Sequence, residues 1–355
     1  MEQNIANQEF AELAEQKLLS IEDLQVSFHT YAGEVHAVRG VTYSVEQGGS
    51  LAVVGESGCG KTVTVQAVMR LTPIPPGAIK GGKIIFNGKD ILSLTEREMQ
   101  SIRGKEIGMI FQDPMTGLNP TMTVGNQIAE AIIKHQRVSK HEAMERAIEM
   151  LNLVEIPNPR VRASQYPHQF SGGMRQRAMI AIALACAPVL LIADEPTTSL
   201  DVTIQSQILD LLQNLQDRLG MTIVLITHNL GVVARLARNL VVMYAGKVVE
   251  RGTSWDIFYE PAHPYTEALL QAVPRLDRPS RMELASIPGA PPDLFEPPQG
   301  CAFAPRCNYC MKICMEYDAT PIKVSDSHHV SCWLHHEANP NPLPKELQKG
   351  GGKRD

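Results

Sequence analysis

Apolar and polar positions alternate over Leu24–Phe28 and again over Ala37–Tyr43, and the segment Ser50–Val54, apolar from Leu51 on, leads directly into a glycine-rich stretch. Alternation with a period of two predicts half-buried strands, and a continuous apolar run predicts a strand covered on both faces. Residues 63–71 read as helix. Residues 83–94 read as a hairpin turning at Asn87-Gly88, two residue types that tolerate positive φ. A helical stretch is predicted from about 124 to 154, bounded by Pro120 and Pro157, and another from Ser171 to Cys186. Val189–Ala193 predicts a buried parallel strand. Helix 204–219, strand Thr222–Thr227, helix 230–238 and strand 239–244 continue the alternation, which predicts an α/β fold.

After about residue 254 the periodicity fades and prolines accumulate, from Pro261 and Pro264 to Pro297 and Pro298. That change predicts an extended C-terminal module instead of a second large core. Residues 1–17 are polar and carry four glutamates, and the last fifteen or so are rich in Pro, Lys and Gly, so disorder is expected at both ends. No internal repeat is visible.

Composition adds limits. A chain of 355 residues suggests one large domain with an appendage, and 44% hydrophobic with 20% charged residues suits a soluble globular protein. A formal charge of −5 argues against a nucleic-acid partner. The longest apolar run, Ala178–Ala193, is broken by Pro188 and falls short of the ~20 residues needed to cross a bilayer. No basic start followed by an apolar stretch marks a secretory leader.

Behind the strand Leu51–Val54 stands G-x-x-x-x-G-K-T: Gly55, Glu56, Ser57, Gly58, Cys59, Gly60, Lys61 and Thr62. The glycines let backbone N–H groups curl around a β-phosphate at the positive end of the next helix. Lys61 offers a point charge to the β and γ oxygens, and the Thr62 hydroxyl offers a ligand to Mg²⁺. These eight residues are expected to bind ATP. Further on, Leu190-Leu191-Ile192-Ala193-Asp194-Glu195-Pro196 is an apolar strand ending in two acids, at the edge where α/β ligand sites lie. Asp194 suits ATP-bound Mg²⁺, and Glu195 suits the polarisation of an attacking water.

Phe170-Ser171-Gly172-Gly173-Met174-Arg175-Gln176-Arg177 resembles the signature motif of ABC ATPases, whose usual core is Leu-Ser-Gly-Gly-Gln. The resemblance implies that Ser171, Gly172, Gly173 and Met174 grip the γ-phosphate of a partner subunit's ATP, in a head-to-tail dimer. Met174 stands where glutamine is commonest. Gln112, in Phe111-Gln112-Asp113-Pro114, matches the Q-loop glutamine that reaches Mg²⁺ and the water. Ser199-Leu200-Asp201 matches the D-loop, and His228 matches the switch histidine, with Asn229 where aspartate usually follows. Tyr31 falls where an adenine-stacking aromatic is expected. Glu195, His228 and Gln112 are thus the expected catalytic residues. The fold implied is the ABC-type P-loop NTPase: a RecA-like core, an antiparallel β subdomain and a helical subdomain, with a small cysteine-containing C-terminal extension. The implied boundaries are a flexible 1–17, an ATPase domain 18–254, an extension 255–336 and a disordered tail 337–355.

Longer stretches narrow the likeness. FQDPMTGLNPTMTVG (111–125), QYPHQFSGGMRQR (165–177), ADEPTTSLDVTIQ (193–205) and His263-Pro264-Tyr265-Thr266 are similar to the ATP-binding subunits of oligopeptide and dipeptide importers, in particular the D-type oligopeptide-permease ATPases. The resemblance implies an ATPase coupled to peptide transport at the cytoplasmic face of the membrane. Its implied partners are an F-type ATPase subunit, two transmembrane permeases and an extracytoplasmic peptide-binding protein. Permease coupling helices would dock near residues 112–130, where Met109, Met115 and Met122 serve as contacts or as core. A dipeptide or nickel importer is the alternative, and a nucleic-acid-processing ABC ATPase a more distant one.

Five of the seven cysteines lie between Cys301 and Cys332. In a cytosolic ATPase, clustered thiols point to metal before disulfides. Cys301, Cys307, Cys314 and Cys332, with Cys310 extra, are spaced like the C-terminal cysteines of peptide-importer ATPases, which implies a 4Fe-4S cluster, with Zn²⁺ or free thiols as the alternatives.

Overall fold

In the computed structural model, which describes residues 17–114, 116–197, 201–272, 287–340, 343, 344 and 347, the two alternating segments near the start become long strands. They are β1 (Lys17–Thr30) and β2 (Gly33–Glu46), and the apolar run becomes β3 (Ser50–Val54), buried at every position. β4 (Gly77–Phe86) begins earlier than the sequence suggests, because Gly77, Gly81 and Gly82 hide its alternation. The turn falls at Asn87 and Gly88, with φ of 47° and 75°. The returning arm is short. After β5 (Lys89–Asp90), the Asp90 carboxylate accepts the Leu92 N–H at 3.0 Å and winds Ile91–Ser93 into a 3₁₀ turn instead of more strand.

The chain divides into two compact units, each drawn from separate segments. The first comprises the described residues of Met1–Leu19, Ser44–Ser50 and Ile85–Ile226. Here β6 (Ile107–Ile110), β7 (Leu190–Asp194) and β8 (Thr222–Thr227) run parallel, with β7 central; Met109 lies opposite Ile192 and Asp194 opposite Ile226. β6 and β7 are buried throughout, as strands covered on both faces are. The expected helix over 124–154 is two helices, Val124–Gln136 and Lys140–Leu153. Arg137 ends the first in the left-handed region at φ 55°, and the Ser139 hydroxyl caps the second by accepting the Glu142 N–H at 3.2 Å.

The second unit comprises the described residues of Ser20–Tyr43, Leu51–Ile84 and Thr227–Asp355. In it β3 pairs in parallel with β9 (Asn239–Tyr244), and β9 pairs antiparallel with β10 (Lys247–Thr253). Two short strands, β11 (Ile322–Lys323) and β12 (His329–Val330), extend that edge through antiparallel pairing of β12 with β10. β10 escapes a reading by pattern because Glu250 interrupts it. The Glu250 carboxylate is 1% exposed, yet it accepts from the backbone of Ala262 and His263 and lies 2.7 Å from His328 Nε2. Beyond residue 287 regular structure is sparse. Ala262, Val330, Cys332, Leu334 and Leu347 nonetheless form a buried apolar cluster, and Leu347 falls in the stretch expected to be disordered.

Candidate functional site

In the second unit, β3 delivers the chain to the glycine loop, and the helix Lys61–Val68 starts from Gly60. Gly55, Gly58 and Gly60 have φ of 152°, 79° and 97°, all in the region that favours glycine. A Cβ on Gly55 would stand 2.2 Å from the Met243 carbonyl oxygen, and one on Gly60 2.4 Å from that of Ala37. The loop therefore curls with its backbone pressed against neighbouring strands at Gly55 and Gly60. Lys61 is 5% exposed; its Nζ donates to the carbonyls of Gly55 at 2.8 Å and Glu56 at 2.9 Å. Cys59 lies 3.7 Å from the same ammonium, and burial pushes its thiol up. A buried cation folded over a glycine nest suits a polyphosphate anion.

Glu56 departs from expectation in its detail. Its carboxylate forms a bidentate ion pair with Arg306, and its N–H donates to the Tyr265 hydroxyl at 2.8 Å. Neither Arg306 nor the role of Tyr265 was evident from the sequence. The HPYT segment explains itself here: His263 Nδ1 caps the helix Pro264–Gln271 by accepting the Tyr265 N–H at 3.0 Å, and Pro264 occupies its first position.

His228 follows β8, is exposed, and precedes the helix Leu230–Leu236. The Asn229 side chain accepts the Gly231 N–H at 3.0 Å, so asparagine fills the capping place as aspartate would. Tyr31 is fully exposed, in the turn between β1 and β2, with Thr30 Oγ1 donating to the Gly33 carbonyl.

The first unit assembles a different group. β6 and β7 end side by side, which brings Gln112 to Glu195: the amide Nε2 donates to a carboxylate oxygen at 2.9 Å. Asp194 and Glu195 are both buried, and Glu195 takes φ 46°, its N–H held by the Ile226 carbonyl at 2.9 Å. A non-glycine residue in that region is the strain often found at reactive positions. Ser171 caps the helix Gly172–Leu184, its hydroxyl accepting from the Met174 N–H at 3.3 Å, and Ser171 and Gly172 are exposed. Asp201 caps the helix Val202–Leu219 by accepting the Ile204 N–H at 2.9 Å. Ser199 and Leu200 lie outside the described residues, as does Met115. Met109 is core at 8% exposure, and Met122 is half-buried.

The cysteine expectation is corrected. Among the described residues no three His, Cys, Asp or Glu side chains are arranged to hold a metal ion, so neither the 4Fe-4S cluster nor the zinc alternative stands. Cys301, Cys307, Cys314 and Cys332 lie among Phe303, Tyr309, Trp333 and Leu334. Burial pushes Cys301 and Cys307 up to about 11 and Cys332 higher still, so these thiols are protonated and behave as small apolar groups.

Among the described residues no helix is long and apolar enough to cross a membrane. Two family profiles match the chain: "ABC transporter" over residues 38–198, and "Oligopeptide/dipeptide transporter, C-terminal region" over 249–314. The chain is 57% identical to the oligopeptide transport ATP-binding protein OppD of Bacillus subtilis, over 94% of this chain and 93% of that one. It is 55% identical to the dipeptide transport ATP-binding protein DppD of the same organism, over 90% and 95%. Among solved structures it resembles a dimeric post-hydrolysis state of the ATP-binding cassette MJ0796 bound to ADP and Pi, with a TM-score of 0.60 at 26% identity, covering 66% of this chain and 98% of that one.

Proposed function

The chain belongs to the ATP-binding subunits of oligopeptide and dipeptide ABC transporters, and on that premise we propose that it binds and hydrolyses ATP to drive the import of oligopeptides. The observation that carries the transport reading is that the likeness continues past the ATPase segment through residues 249–314. Chemistry confined to ATP would not require that second region.

The roles follow from chemistry. Lys61 and the amides of Gly58, Gly60 and Thr62 receive the β- and γ-phosphates. The magnesium ion that accompanies ATP supplies positive charge on those oxygens. A hydroxyl, an amide oxygen and a carboxylate (Thr62, Gln112 and Asp194) are the hard donors that would hold it. Glu195 takes the proton of the attacking water, and its carboxylate is oriented by the Gln112 amide at 2.9 Å. His228 serves the γ-phosphate. Ser171, Gly172 and Gly173 present a helix N-terminus to a nucleotide held by a second ATPase subunit, so two such chains, or this chain and an F-type relative, complete each other's sites. Two permeases and an extracytoplasmic peptide-binding protein complete the machine, with this subunit on the cytoplasmic face. The 55% identity to the dipeptide transport protein favours dipeptides as a second reading of the cargo.

Glu195→Gln keeps the shape of the side chain and removes the base. Hydrolysis by the assembled transporter is expected to fall by about 10²–10⁴-fold while ATP binding persists, and peptide uptake is expected to stop with it. Undiminished uptake of labelled peptide by cells carrying only this variant would exclude the proposal.

A further inference from the structure

Arg306 is a buried arginine with a carboxylate partner far away in sequence. Its side chain is 5% exposed, and its donors are all engaged. Nη1 donates to Glu56 Oε2 at 2.8 Å and to the Tyr244 hydroxyl at 3.0 Å; Nη2 donates to Glu56 Oε1 at 3.1 Å and to the Ile287 carbonyl at 3.2 Å. Nε donates to the Pro288 carbonyl at 2.9 Å. The guanidinium also lies 5.8 Å from the ring centre of Tyr244 and 5.9 Å from that of Phe303. A planar fork so fully satisfied is held in one orientation.

What it holds is the second residue of the phosphate loop. The Glu56 N–H goes to Tyr265, its carbonyl accepts from Lys61 Nζ, and its carboxylate goes to Arg306. Glu56 thus links Arg306, 250 positions downstream, to the lysine that serves the phosphates. Charge matters as much as geometry. A carboxylate beside a loop meant for a polyphosphate repels the ligand unless a cation is fixed against it. A partly buried pair such as this one, with the Glu56 side chain 24% exposed, is screened less by salt than a pair on the open surface.

We propose that Arg306 is a positioning residue for nucleotide binding: it neutralises Glu56 and fixes the start of the phosphate loop, so that ATP affinity is set in part by the C-terminal region. This deepens the ATPase reading above and rests on it. Titration of ATP–Mg into the full-length chain by calorimetry tests it. Arg306→Met is expected to raise the dissociation constant roughly tenfold, the scale of one lost charge-assisted contact. Adding Glu56→Gln to that variant removes the stranded anion and is expected to restore most of the affinity. Arg306→Lys, which keeps the charge without the fork, is expected to fall between wild type and Arg306→Met. It also serves as the readout where Arg306→Met does not fold. Lys323→Met, an exposed change in the same region, is expected to leave binding as it is. A merely structural pair would lower the melting temperature without this recovery in affinity. Unchanged affinity in both arginine variants would overturn the inference, as would a double variant no better than Arg306→Met. A wild-type chain that takes up no ATP would instead overturn the ATPase reading itself.

Discussion

Gly60 and Gly58 both have positive φ, 97° and 79°, but differ in their surroundings, and that difference makes a test at the scale of one residue. A methyl group on Gly60 would collide with the Ala37 carbonyl at 2.4 Å, whereas one on Gly58 would meet nothing within 4 Å. Gly58→Ala carries only the strain of positive φ, about 1 kcal/mol. Gly60→Ala adds a backbone clash at the helix entrance, so its melting temperature and its ATP affinity should both fall further. Parallel melting curves and nucleotide titrations of the two variants check the order; equal losses would mean that the loop relaxes around Gly60. The need for glycine was legible in the motif. Which glycine is pinned was not, because the pinning atom belongs to β2, more than twenty positions away.

At the scale of an element, the helix Pro264–Gln271 depends on a histidine cap. His263 is 1% exposed, and burial lowers its pKa to about 4, against the pull of the nearby Glu250 carboxylate, which raises it. The ring must stay neutral, because its Nδ1 accepts the Tyr265 N–H. A group that binds its proton more weakly folded than unfolded stabilises the protein above its unfolded pKa of about 6.5. That stability should drain away as pH falls from about 6.5 toward 4, by at most about 1.4 kcal/mol per pH unit. His263→Asn keeps a capping oxygen and cannot titrate, so the melting temperature of that variant should depend less steeply on pH over this window. An unaltered slope would show that other groups carry the acid sensitivity. Caps also account for the element the sequence misjudged. The apolar rhythm from 124 to 154 carries no visible break, yet Arg137 in the left-handed region and the Ser139 cap split it. A serine inside a helical rhythm looks like any polar position until its hydroxyl is seen to take the Glu142 N–H.

At the scale of the whole molecule, the division of parts makes a kinetic expectation. This chain offers its own phosphate loop, while Ser171–Gly173 are read as serving another subunit's nucleotide. Purified alone and dilute, it should hydrolyse ATP slowly, with specific activity rising with chain concentration or on addition of its partner subunits. Activity independent of both would speak against a shared site. The sequence by itself determined the glycine loop, the acidic strand end, the signature serine and their order. These are local: each motif is set within a few consecutive residues, by the turn it forces and the helix or strand it joins. Only the tertiary structure decided that Gln112 meets Glu195, because that contact depends on two parallel strands ending in register. It likewise decided that, among the described residues, the clustered cysteines form no metal-binding group, since spacing along a chain says nothing of how thiols are aimed or desolvated. Arg306 shows the same limit most clearly: nothing in its neighbours marks it, and only folding brings it to the loop where the phosphates are expected to bind.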